Sequence, residues 1–265
     1  MNPGVREASA PDPLRGVFVT GTGTEVGKTV VAAVIARTLA DQGKRVAVFK
    51  PVVTGLDELA AAGPKGNTAG DLLAQRRSNA ADHELLRWAA RSEQSDDEIS
   101  PYRFGPPMSP HLAAELAGEE IDRERLLSGA RGAAEGSDAL ICEGVGGLLV
   151  PLGRVSGPIG QKRARAYLVR DFAVDLGLPV AIAASPGLGA INHTLLTIEA
   201  ARAASLDVAA VVLTPWPEEP SAIERSNRET IAALGEVEVE TLPRLDLHEP
   251  ADWKASWRLI PAMRE

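Results

Sequence analysis

Four absences bound what this chain of 265 residues can be. It has a single cysteine, Cys142, so no internal disulfide can form. A chain this long builds a core without one, and a reducing, cytoplasmic setting is the expectation. Aromatic residues make up only 4% of the sequence, which leaves any core to Ala, Val, Leu and Ile. Positive charge is not in excess: 28 Lys and Arg stand against 36 Asp and Glu, a formal net charge of −8. That excludes a general nucleic-acid binder, because non-specific affinity for the polymer rests on Lys/Arg–phosphate contacts. Long apolar runs are missing as well. Stretches such as Val30–Ala36 fall far short of the roughly 18 residues that a membrane span requires. The opening MNPGVREASAPDPLR lacks the apolar segment of a secretory signal and reads as a disordered tail over residues 1–15.

What is present is an alternation of short apolar strands with helical patterns. The strands are Gly16–Thr20, Arg45–Lys50, Ala139–Cys142, Pro179–Ala184, Val208–Leu213 and Val237–Leu242. Val31, Val34, Ile35 and Leu39 recur at helical spacing, with Gly43 placed to end that helix. Leu112–Leu116, Arg125–Ala134 and Asn192–Ala203 also read as helical, whereas 55–100 is polar and only weakly periodic. Buried β-branched runs alternating with helices indicate a doubly wound, mainly parallel α/β sheet covered on both faces. No repeat and no linker divides the chain, so residues 16–265 are expected to form one domain of the P-loop type.

The strongest local signal is Thr20-Gly21-Thr22-Gly23-Thr24-Glu25-Val26-Gly27-Lys28-Thr29 between a strand and a helix. There the backbone N–H groups and the helix dipole converge on an anion. Lys28 would reach the β- and γ-phosphates and the Thr29 hydroxyl would hold Mg²⁺. The loop is one residue longer than the standard pattern, since the required early glycine is Gly21 rather than residue 22. Lys50 ends the second strand and leads into Pro51-Val52-Val53-Thr54-Gly55. Strand ends face the ligand crevice in such sheets, where a lysine can offset charge on a transferring group; a surface lysine at a strand end is the other reading. Glu143 follows the strand Ala139–Cys142 and opens Gly144-Val145-Gly146-Gly147. An acid at that point is the usual second Mg²⁺ anchor, and a plain turn is the alternative. By pattern alone Asp71 reads as a helix N-cap.

Other chemistry-bearing residues carry less. Ser109 and His111 are two apart with no nucleophile elbow around them. His and Cys spacing resembles no zinc site. The basic cluster Lys162, Arg163, Arg165 and Arg170 reads as a solvated loop and helix start.

Taken together, GTGTEVGKT (21–29), FKPVVTG (49–55), PPMSPHLAAE (106–115), CEGVGGLLVPL (142–152), LGLPV (176–180) and GAINHTLLT (189–197) resemble the dethiobiotin synthetase family, in that family's order. The resemblance implies a cyclo-ligase of biotin synthesis. Its substrates would be 7,8-diaminononanoate, CO₂ or bicarbonate, and ATP or another nucleoside triphosphate, with Mg²⁺. An amine is carboxylated to a carbamate, the γ-phosphate is transferred to it, and the second amine closes the ureido ring. On this reading Glu25, Val26, Gly27, Lys28, Thr29 and Val30 wrap the phosphates, and Thr29, Asp71 and Glu143 hold Mg²⁺. Lys50 is catalytic at the carbamate together with Lys28 and Thr24, while Thr24 and Thr54 contact the diamine. The backbone of Gly144, Val145 and Gly146 lies against carbamate and nucleotide. Leu213, Thr214, Pro243, Arg244 and Leu245 fall to the nucleotide's base side, where the family's adenine-reading asparagine is absent and Leu213 stands in its place. Members are homodimers in which a helix start, here Gly189, Ala190, Ile191 and Asn192, binds the substrate carboxylate across the interface.

Two other readings share the extended loop. An amidoligase of the cobyrinic acid a,c-diamide synthase type usually needs a glutaminase module with a nucleophilic cysteine, and Cys142 is badly placed for that role. A ParA/MinD-like switch ATPase carries a signature lysine where this chain has Gly23.

Overall fold

A computed structural model of the chain describes residues 13–61, 81–155, 165–247 and Trp253. The tail expected over 1–15 falls, as far as residue 12, outside the described residues. So does Asp71.

Six strands form the central sheet: β1 (Gly16–Gly21), β2 (Val46–Phe49), β5 (Ala139–Gly147), β8 (Val180–Ala184), β9 (Val208–Trp216) and β10 (Val239–Pro243). Their order across the sheet is β10-β9-β8-β1-β5-β2, and every pairing is parallel. The parallel sheet expected from the apolar runs is what the chain builds, with ends that differ by one to a few residues. β5 runs on through the glycines to Gly147, because Gly21 pairs with Gly147 after a register shift in β1. Two small accessory sheets, β3 (Val52–Val53) with β4 (Tyr102–Arg103) and β6 (Pro151–Val155) with β7 (Arg165–Leu168), are too short to show as periodicity.

Helices cover both faces. On one side α1 (Lys28–Asp41) and α3 (Asp82–Ala90) lie over Val17, Val19, Val48, Ile141, Ala183 and Val212. On the other, α6 (Arg123–Ala134), α7 (Val169–Leu176), α8 (Ala190–Arg202) and α9 (Ala222–Gly235) lie over Phe18, Phe49, Leu140, Cys142, Ile182 and Leu213. Side chains alternate between the faces along a strand, so odd and even residues of β1, β2, β5, β8 and β9 feed different cores. Short helices α2 (Leu56–Ala61), α4 (Asp96–Ile99) and α5 (Pro110–Ala117) complete the described elements. The region 55–100, read as polar and weakly periodic, thus holds helices. In α3 the buried Leu85, Leu86, Ala89 and Ala90 form an apolar stripe diluted by Asp, Glu and Arg on the solvent side. Among the described residues no helix is long and apolar enough to cross a membrane.

Trp253 is an unexpected part of the core. It is buried and meets the Trp88 ring edge-on with centroids 5.0 Å apart, and its Nε1–H donates to the Asp246 carbonyl (2.9 Å). Trp88 sits on α3, and Arg91, at the end of that helix, pairs with Asp41 of α1 (2.6 Å). These contacts fix α3 on α1. Trp253→Ala should therefore destabilise the protein by about 3 kcal/mol, measured by urea unfolding. A loss below about 1 kcal/mol would mean that Trp253 adds little to the core.

Candidate active site

Between β1 and α1 the chain makes a tight anion loop. Thr22 N–H donates to Ala183 O of β8 (3.0 Å), which ties the loop to the sheet. Glu25 (φ 58°) and Gly27 (φ 88°) take left-handed conformations. Position 27 requires glycine for space as well, since a Cβ there would lie 2.6 Å from Thr214 Cγ2. At Gly21 a Cβ would meet Val26 Cγ2 at 2.6 Å and Lys28 Cγ at 2.9 Å. The N–H groups of Lys28, Thr29 and Val30 open α1 and have no intrahelical acceptor. Lys28 Nζ donates to Gly23 O (2.7 Å), folding its cation over the loop.

Strand register brings the other charges to this point. Phe49 pairs with Cys142, so Lys50 and Glu143 are neighbours one residue further along. Phe49 and Cys142 belong to the core on the far face; Lys50 and Glu143 therefore turn toward the α1 face by the alternation of strands. Lys50 Nζ lies 2.7 Å from Glu143 Oε1 and 2.5 Å from Asp82 Oδ2. Asp82 is the first residue of α3, whose start is held by the Glu84 carboxylate accepting from Ala81 N–H (2.9 Å). The Thr29 hydroxyl lies 2.9 Å from both Asp82 Oδ1 and Glu143 Oε1. Glu143 Oε2 is buried without a hydrogen-bond partner among the described residues.

Burial sets the electrostatics. It would lower the Lys50 ammonium, but Asp82 and Glu143 outweigh it and hold that group above the ordinary lysine range. Glu143 is pushed up from the usual carboxylate value by burial, against the pull of Lys50. Asp82 is drawn down by Lys50, with help from Thr29, although its own burial opposes this. Burial lowers Lys28. A lysine flanked by two carboxylates stays cationic.

One cavity of about 700 Å³ collects Thr24, Glu25, Gly27, Lys28, Thr29, Val30, Lys50, Thr54, Glu143, Val145 and Gly146. Val26 packs behind the loop, and Gly144 sits where a Cβ would press on Phe18 and Val169, each at 3.1 Å. The helix start Gly189, Ala190, Ile191 and Asn192 is separate. Gly189, Ile191 and Asn192 line a second cavity of about 510 Å³ with Leu188 and Asn227, while Ala190 is buried. Pro243 ends β10, with Arg244 and Leu245 following it, and none of the three lines the phosphate-loop cavity. Leu213 departs from its expected place: it is fully buried in the core on the face away from α1. Strand alternation turns the next residue, Thr214, to the loop side, and Thr214 is the one that meets Gly27.

Three residues at these sites escaped the sequence reading. Asp82 was signalled only by an acid in the first turn of a weakly amphipathic run. Glu58 lines the main cavity from α2. Asn227 is buried on α9 and its amide donates to Pro186 O (2.8 Å) and Gly187 O (2.9 Å), just before α8. No local pattern announces such a long-range contact.

A family described as an AAA domain matches residues 15–250. The ATP-dependent dethiobiotin synthetase BioD of Bacillus subtilis (strain 168) is 34% identical over 221 residues, 83% of each chain. That of Mycobacterium sp. (strain KMS) is 36% identical over 240 residues, 90% of this chain and 92% of its own. That of Anaeromyxobacter dehalogenans (strain 2CP-1 / ATCC BAA-258) is 38% identical over 200 residues, 76% of each. With more than two thirds of the chain matched at over 30% identity, the chain belongs to the dethiobiotin synthetase family.

Proposed function

We propose that this chain makes dethiobiotin from 7,8-diaminononanoate, CO₂ and a nucleoside triphosphate, acting as a cyclo-ligase. The observation that carries the reading is the Lys50 ammonium, clamped by Asp82 and Glu143 in the same cavity as a phosphate loop. A P-loop alone serves any nucleotide-dependent process; a second, immobile cation beside it suits transfer of phosphate to a carboxylate-like acceptor.

The residues divide the work as follows. The amides from Gly27 to Val30 receive the phosphates, and Lys28 swings from the Gly23 carbonyl to the γ-phosphate. Lys50 offsets negative charge on the carbamate while one of its oxygens attacks the γ-phosphorus. Attack by the second amine on the resulting mixed anhydride closes the ring and releases phosphate. Thr24 and Thr54 offer hydroxyls to the amines, and the backbone at Gly144–Gly146 lets the reacting groups approach closely. Thr29, Asp82 and Glu143 present a hydroxyl and two carboxylates, with one Glu143 oxygen free of hydrogen-bond partners among the described residues. Such hard oxygen donors fit Mg²⁺, which keeps much of its water; Asp71, which lies outside the described residues, remains a candidate ligand beside them. When bound, the ion supplies neutralising charge to the phosphates.

The substrate carboxylate falls to the Gly189–Asn192 helix start of a second copy, in a homodimer. Exposed Leu188, Leu196, Leu116 and Leu149 supply apolar surface for that contact. Thr214 replaces a base-reading amide with a short hydroxyl, which relaxes discrimination among nucleotides by about 1–3 kcal/mol.

Purified protein supplied with diaminononanoate, bicarbonate, Mg²⁺ and each of four nucleoside triphosphates should form dethiobiotin and phosphate in equal amounts. At least one non-adenine triphosphate should support a rate within about tenfold of ATP. No dethiobiotin with any nucleotide sinks the assignment. Lys50→Ala should bind nucleotide nearly as well as the parent, with turnover reduced by about 10²-fold or more; lost nucleotide binding would give Lys50 a different role. Sedimentation should show a dimer, and a stable monomer at assay concentration removes the cross-subunit carboxylate site.

A further inference from the structure

The cavity must take the amine end of its substrate beside two lysines, of which Lys50 is matched by Asp82 and Glu143 and Lys28 is held, among the described residues, by the Gly23 carbonyl. Diaminononanoate has two vicinal amino groups and is cationic at that end near neutral pH, and it must enter beside Lys28 and Lys50. Like charges in a partly desolvated cleft repel strongly. Four carboxylates line the cavity: Glu25, Glu58, Asp82 and Glu143. Asp82 and Glu143 are committed to Lys50 and Thr29. Glu25 likewise has no partner among the described residues, but it stands in the anion loop, where the phosphates gather.

Glu58 is different. It is exposed to the cavity and has neither hydrogen bond nor ion pair among the described residues. The backbone that carries it is pinned in place. Gly55 N–H donates to Pro106 O (3.2 Å) and Asp57 N–H to Gly105 O (2.9 Å). The Asp57 carboxylate fills the space over Gly105, where a Cβ would lie 2.4 Å from Oδ1. α2 thus follows directly from the Lys50–Gly55 turn and is zipped to the 104–106 strand extension. An exposed carboxylate with no partner among the described residues, held on a fixed backbone near Thr54, is suited to a cation.

We infer that Glu58 binds the ammonium end of the diamino acid, supplying the counter-charge that lets a cationic substrate enter beside Lys28 and Lys50. The inference rests on the cyclo-ligase reading, which provides the diamine. Glu58 is a substrate-binding residue on this account and takes no part in phosphoryl transfer.

The test compares wild type with Glu58→Gln and Glu58→Asp, an exposed site at which folding is not at stake. For Glu58→Gln the KM for diaminononanoate should rise about tenfold or more, with kcat at saturation and the nucleotide KM within about threefold of wild type. Glu58→Asp should recover part of the loss. Wild-type KM should also climb with ionic strength more steeply than that of Glu58→Gln, as loss of an ion pair requires. If wild type turns over and Glu58→Gln keeps its diamine KM within about twofold, the inference fails while the cyclo-ligase reading stands. An equal fall in kcat and in nucleotide affinity would make Glu58 structural and would also overturn it. Failure of wild type to form dethiobiotin removes the reading and the inference together.

Discussion

A buried lysine between two carboxylates is the constraint around which this molecule is arranged. Removing Lys50 from water is costly, and it is tolerated because Asp82 and Glu143 stand 2.5 and 2.7 Å away. Each partner comes from a different part of the chain: Glu143 from a central strand, Asp82 from the first turn of a helix laid over it. The parallel register that pairs Phe49 with Cys142 brings Lys50 to Glu143, and the packing of α3 on α1 brings in Asp82. Remote contacts such as Trp88 on Trp253 thereby bear on the chemistry, since they hold the helix that delivers one of the charges.

The same cluster links the second cation to the anion loop. Thr29 shares its hydroxyl's surroundings with both carboxylates, so the start of α1 is joined to β5 and α3 as well as to its own strand. Among the described residues Lys28, whose charge burial weakens, binds only a loop carbonyl, whereas Lys50 is matched by two carboxylates. The two lysines therefore differ in readiness to move. Lys28 can exchange a neutral acceptor for a phosphate at small cost, while Lys50 would have to abandon two charged partners. On the cyclo-ligase proposal, that asymmetry suits Lys28 to the incoming nucleotide and Lys50 to the acceptor.

Much of this was legible in the sequence. Buried β-branched runs announced the parallel sheet, and the strand-loop-helix context of Gly21–Thr29 announced the anion site. Lys50 and Glu143 were legible because each ends an apolar strand, and strand ends of a parallel sheet share one rim. Asp82 was not, because its place depends on how a helix crosses α1 rather than on any local pattern. Leu213 shows the limit of position without parity. It sits one residue from the loop, yet the two-residue alternation of β9 sends it into the opposite core and leaves Thr214 at the site. Trp253 and Asn227 act over distances that no window of sequence spans.

An acidic chain with a net charge of −8 is a poor general attractor of anions, so its nucleotide site must work by local placement. The cavity does so by matching its buried charges before ligand arrives. Asp82 and Glu143 neutralise Lys50 and the helix amides await phosphate, while Glu25 and Glu58 have no partner among the described residues. Glu25 belongs to the loop itself, so Glu58 is the carboxylate left to the opposite wall. Held near Thr54 on a backbone hydrogen-bonded to Phe104 and Gly105, it can offer the amine end of a substrate a counter-charge that the partners of Lys50 cannot supply, because theirs is already spent on that lysine.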